Sequence, residues 1–165
     1  MPQLRKTLGS PNDPEVKALM ALMETQSHLT LITWACTEAM KYDLPLTQDN
    51  RLRTALEGAL AGMPLPEFRP LLAEARKAAG KSKHPVTQAA SRAVASACTV
   101  VSSPTSALGY CFYHAAAYAY ATAGIQAAQE KYDELGRAAM EQLLESLRKV
   151  AVADEPNPAK LRWEC

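Results

Sequence analysis

One stretch limits the possible folds more than any other: SPTSALGYCFYHAAAYAYATAGIQAA, residues 103–128. No charged side chain interrupts it before Glu130, and its polar atoms are hydroxyls, an imidazole, a thiol and one amide. Ser103 is placed to cap a helix and Pro104 to take the first helical position, where its missing N–H costs nothing. Alanine recurs on every side. A helix that is small or apolar all round is buried over most of its circumference. The stretch therefore predicts about seven helical turns at the centre of a bundle, with the other helices packed around it.

The flanking chain supplies those helices. Residues 1–12 read as an irregular lead-in. Asp13-Pro14-Glu15 starts a helix with a cap, a proline at N1 and a carboxylate at the positive end of the macrodipole. Val16, Leu19, Met20, Leu22 and Met23 give it a broad apolar stripe. A break near Thr25-Gln26-Ser27 separates it from a second helix, with Leu29, Ile32, Ala35, Cys36, Ala39 and Met40 on one side. That helix is expected to stop before Pro45. Asp49 opens a third helix, which buries Leu52, Ala55, Leu56, Ala59 and Leu60 and closes at Gly62. MPLPEFRP reads as a joint, and Pro70 is expected to confine the fourth helix to Pro70–Ala79. His84-Pro85 begins a fifth, alanine-rich helix running to about Val101. The last helix, from about Lys131 to Val150, is amphipathic, with Leu135, Ala138, Ala139, Leu143, Leu147 and Val150 inward. Asp133–Arg137 and Glu145–Lys149 are the i,i+4 pairs expected on its outside. Residues 154–165 form an extended tail pinned by Trp163. No strand alternation occurs, so the fold class is all-α: a single domain over residues 1–165, with six to seven helices around the central Ala/Tyr-rich one.

Composition excludes several functions. With 18 basic against 17 acidic side chains, the net charge of +1 leaves no excess of cations for a nucleic-acid footprint. The N-terminal residues lack the apolar run of a signal peptide, and no stretch is apolar enough for a membrane span. The expectation is a cytoplasmic protein that binds neither nucleic acid nor membrane. Cys36, Cys98, Cys111 and Cys165 are widely spaced with no CxxC pair, so no metal site and no cofactor is expected. The first three read as small buried hydrophobes. Cys165 lacks the three following residues that prenylation needs.

Two constellations carry candidate chemistry. Tyr110, His114 and Tyr118 recur at i, i+4 and i+8, with Tyr113 and Tyr120 on the adjoining flank. Facing a cavity, they would bind a ligand or move a proton. As core residues, they would bury their rings and hydrogen-bond at their tips, the commoner arrangement. Arg51 and Arg53, near Asp49 and Glu57, would either hold an anion at a helix start or form an inter-helix salt bridge. No catalytic triad, phosphate loop, HExxH or EF-hand motif is present.

Several stretches together resemble the bacterial putative immunity protein family of the immunity-five-like kind. They are LGSPNDPEVKALMALMETQSH, WACTEAM around Trp34 and Cys36, DNRLRTALEGA, SSPTSALGYCFYHAAAYAYATAG and EPNPAKLRWEC, in the same order over nearly the whole chain. Arg51 and Arg53 match the family pattern. Where that pattern carries a Gly-Gln pair and two histidines, this chain has Ala95-Ser96, Ser102 and Ser106. The resemblance implies a compact helical domain that protects a bacterium against a toxin.

Together these readings lead to a non-enzymatic protein that binds a partner, a cognate protein toxin by the resemblance. The alternative is a small-molecule-binding or catalytic helical domain, with Tyr110, Tyr113 and His114 around a cavity and Arg51 and Arg53 holding an anion. Self-association into a homo-oligomer is a third possibility.

Overall fold

A computed structural model describes residues 4–163. Among them are seven α-helices: α1 Pro14–Met23, α2 His28–Glu38, α3 Asn50–Leu60, α4 Leu65–Lys81, α5 Pro85–Thr99, α6 Ser106–Ala123 and α7 Gln129–Val150. The sole β-type pairing among the described residues is an isolated bridge between Ser27 and Pro158. The all-α reading holds.

Helix α6 lies at the centre, packed most extensively on α5 and then on α7, and also touching α2. Only Ala121 and Thr122, near its C-terminal end, are exposed. Small residues let α5 approach closely: a Cβ at Gly109 would stand 3.4 Å from Ser96 Oγ. The other helices follow in sequence, with α4 on α5, α3 on α4 and α1 on α7. Cys36, Cys98 and Cys111 are buried, as expected. Burial pushes the Cys36 thiol up to about 12 and raises those of Cys98 and Cys111 as well. Cys165 lies outside the described residues.

The central helix is shorter than its sequence implied. Ser103 does not cap it, and Pro104 precedes it. Ser106, Ala107 and Leu108 instead donate to the carbonyls three residues back, forming a tight entry turn. Gly124, at φ 77°, ends the helix five residues before α7 begins.

Pro70 lies inside α4 rather than limiting it. Its ring forfeits one hydrogen bond, to the Pro66 carbonyl, but both prolines are exposed and water can serve that group. Phe68 and Leu72, buried on either side, hold the helix through the proline.

Other differences concern faces. Leu29 (67% exposed), Leu60 (38%) and Val150 (50%) point outward; in α2, Leu31 and Trp34 are buried, and Ile32 packs half-buried against the core as expected. Arg137 pairs with Glu15 of α1 rather than with Asp133, which accepts from Gln129. Glu145 meets Arg148 rather than Lys149.

The lead-in is irregular yet packed. Leu8 is buried, its N–H donates to the Phe112 carbonyl, and its side chain lies against Gly136 of α7. The Tyr120 hydroxyl donates to the Arg5 carbonyl at 2.6 Å. The tail clasps the α1–α2 joint through the buried Gln26, whose amide exchanges hydrogen bonds with both main-chain groups of Val152. The Gln26 carbonyl receives the Ala159 N–H, and the Glu155 carboxylate accepts from the Ser27 N–H and the Thr30 hydroxyl. The Trp163 indole donates to Glu24 and pins the tail as expected.

Candidate functional site

Between α2 and α3 the chain widens. Residues Ala39–Asp43 form one π-turn, closed by the Leu44 N–H on the Ala39 carbonyl, and Leu44–Leu46 follow as a 3-10 turn. Pro45 accounts for the change, because a continued α-helix would drive its ring against the Lys41 carbonyl. The extra residue brings Asp43 round to face α6, where it is 1% exposed.

Its carboxylate meets two donors from consecutive turns of α6. Tyr110 donates its hydroxyl to Oδ2 at 2.8 Å, and His114 Nδ1 lies 2.9 Å from Oδ1 and 3.1 Å from Oδ2. Tyr110 is fully buried and His114 is 4% exposed. Burial first, and then the Asp43 charge, push the Tyr110 phenol well above its ordinary range, so it remains a donor. Aromatic rings enclose the group. Trp34 meets Tyr110 edge-on with centroids 6.2 Å apart, and Tyr42 and Tyr118 flank His114 at 6.1 and 6.5 Å. The Trp34 indole donates to Ser146 of α7, whose hydroxyl donates to Glu38. These part-buried bonds tie α2 to α7 beside the π-turn.

This joins Tyr110 and His114 from the stripe with Asp43, which sequence reasoning missed. A signal for it existed. A buried phenol and a buried imidazole one turn apart both have protons to donate, so some acceptor must face them. Nothing local told which of the chain's acids it was.

Tyr113 belongs elsewhere. It turns toward α5 and α4 and lines a groove with Lys6, Arg76 and Arg92. The arginine pair also separates. Arg51 grips Asp49 with two nitrogens, Nε at 3.0 Å and Nη2 at 2.6 Å, and reaches Glu74 of α4 at 3.2 Å through Nη1. It therefore ties α3 to α4, and its guanidinium pushes the Asp49 carboxyl down to about 2. Asp49 also caps α3 by accepting from the Arg51 N–H. Arg53 is exposed and takes part in none of the ion pairs among the described residues.

Chemically, the Asp43 carboxylate is engaged by both donors, and His114 uses only its Nδ1 in the hydrogen bonds among the described residues. The three side chains lie inside an aromatic and alanine core. Among the described residues no group of three or more His, Cys, Asp or Glu side chains is arranged to hold a metal ion. No helix there is long and apolar enough to cross a membrane.

These features define a class, the all-α bundle assembled around a buried polar cluster. The chain belongs to the Imm-5 like putative immunity protein family, whose model matches residues 21–145. The match takes in Asp43, Arg51, Tyr110 and His114, and leaves out the lead-in and the tail. Comparison with curated proteins and with solved structures gave no match.

Proposed function

We propose that this protein is a non-enzymatic immunity protein that works in the cytoplasm as one unit, by binding a partner, a protein toxin whose active surface it covers. Family membership carries the reading. The internal chemistry agrees with it: Asp43, Tyr110 and His114 are engaged with one another, and Arg51 with Asp49 and Glu74. Occlusion needs shape and charge complementarity at a surface, and a rigid interior supplies the platform.

Co-expression with a toxin encoded beside the gene tests this. The expected result is a purified complex and restored growth, with Tyr113→Phe and His114→Ala leaving protection intact in cells where the variants still fold. Loss of protection from a folded His114→Ala variant that keeps its partner would refute a non-enzymatic role. Light scattering on the free protein shows whether the binding surface is instead used for self-association.

A further inference from the structure

The structure points to a binding site for a phosphate group that the family assignment does not supply. We propose that the groove between the lead-in, α4 and α5 takes a small phosphate-bearing anion, held by Arg76, Arg92, Lys6 and Tyr113. This reading is independent of toxin binding.

The groove, of about 270 Å³, is lined by those four residues with Thr99, Ser96, Ala79 and Ala95. Its three cations come from three separate elements, the lead-in, α4 and α5, and line the same groove. No carboxylate is among the described lining residues, and none of the three cations enters an ion pair there. That differs from their surroundings: on the same helix Lys77 is matched to Glu74, which also receives Arg51. Gathering unmatched positive charge lowers the energy of an anion in the groove.

The groove is open, with Lys6 and Arg76 exposed at its edge and small side chains among its lining. Ala79, Ala95 and Ser96 make a floor of small side chains, so a ligand can settle close to the helices. Arg76 makes one contact to its wall. The Thr99 hydroxyl donates to the Ala95 carbonyl at 2.8 Å and receives Arg76 Nη2 at 3.4 Å, leaving the other guanidinium N–H groups for a ligand. Arg92 is half-buried, as is Tyr113, whose hydroxyl makes no hydrogen bond among the described residues. Two guanidinium forks, one ammonium and one phenolic O–H match the several acceptor oxygens of a phosphate.

Calorimetric titration of the full chain with inorganic phosphate, pyrophosphate and adenosine 5′-monophosphate tests the proposal, at ionic strength matched with sodium chloride. Saturable binding of at least one probe is expected. Binding of phosphate and pyrophosphate alone assigns the site to free inorganic anions, and binding of the nucleotide assigns it to a phosphate monoester. Arg92→Gln and Arg76→Gln should each weaken binding about tenfold, and Tyr113→Phe several-fold, with melting of the unliganded variants unchanged. Arg53→Gln, at an exposed arginine outside the groove, should leave affinity unaltered. The proposal is overturned by three outcomes: no heat beyond the chloride control, equal weakening by Arg53→Gln, or capture of polyglutamate but of none of the three probes. The last would make the groove a contact for an acidic polypeptide.

Discussion

Removing the Asp43 carboxylate is the most direct probe of this interior. In Asp43→Ala, the Tyr110 hydroxyl and the His114 imidazole lose their shared acceptor in a place water does not reach. Each buried donor left unpaired costs about 1–3 kcal/mol. The void left by the carboxylate adds to that, so the total is about 4 kcal/mol. For a protein of this size each kcal/mol lowers Tm by roughly 2–4 °C, giving a fall of about 8–16 °C. Tyr110→Phe removes one donor but leaves the carboxylate with His114, and should cost about 2 kcal/mol. In the double variant the phenol no longer needs an acceptor, so the combined loss should fall short of the sum by about 1–2 kcal/mol. Urea unfolding followed by circular dichroism, for the parent and the three variants at constant m, measures all four corners. A loss below about 1 kcal/mol for Asp43→Ala, or strict additivity in the double variant, would refute the claim that the cluster holds the core together.

Four further expectations follow from local geometry. Gly9 sits at φ 103° with Met140 Cε 3.0 Å from where a Cβ would stand, so Gly9→Ala should cost about 1–3 kcal/mol by thermal melting. Pro70→Ala restores a hydrogen bond on an exposed face of α4 and should stabilise by about 1–2 kcal/mol; a lowered Tm would show that the proline is structurally required. Gln26→Ala breaks the tail clasp, and hydrogen exchange should speed up across residues 152–163 while the centre of α6 keeps its protection. Asp49 is held down by the Arg51 guanidinium, and Glu155 chiefly by the Ser27 N–H. Their contributions are therefore complete above the ordinary carboxyl values of 3.8 and 4.5 and are lost as pH falls through their lower folded values. Melting between about pH 6 and pH 2 should steepen downward in that range, less so in Glu155→Gln.

The central helix was legible because its signal is compositional: a long run without a charge, rich in alanine, buries most of its length, although its last residues emerge. Helix starts at Pro14, Asp49 and Pro85 were legible because caps and N1 prolines act within a few residues. What sequence reasoning missed was non-local. The continuation of α4 through Pro70 depends on Phe68 and Leu72 being buried by other helices, which outweighs a local prohibition. The outward turn of Leu29 beside an inward Trp34 depends on how α2 meets α7. Arg51 did form the inter-helix bridge that was one of its two readings, but Glu74, its partner 23 residues away, carried no local mark. Tyr113, on the flank of the stripe, meets α5 and α4 because it stands about 100° round the helix from His114.

The π-turn makes this bundle sensitive to chain length at one point. Each residue of an α-helix advances the side chains by about 100°, so deleting one residue within Ala39–Asp43 would restore regular winding and swing the acid away from α6. A substitution at residues 39–42 leaves the acid in place, whereas a one-residue gap forces two aromatic-lined donors to lose their acceptor in a single event. Family members that carry such a gap should therefore have replaced the phenol and imidazole with apolar side chains, or have brought in a negative charge from another helix.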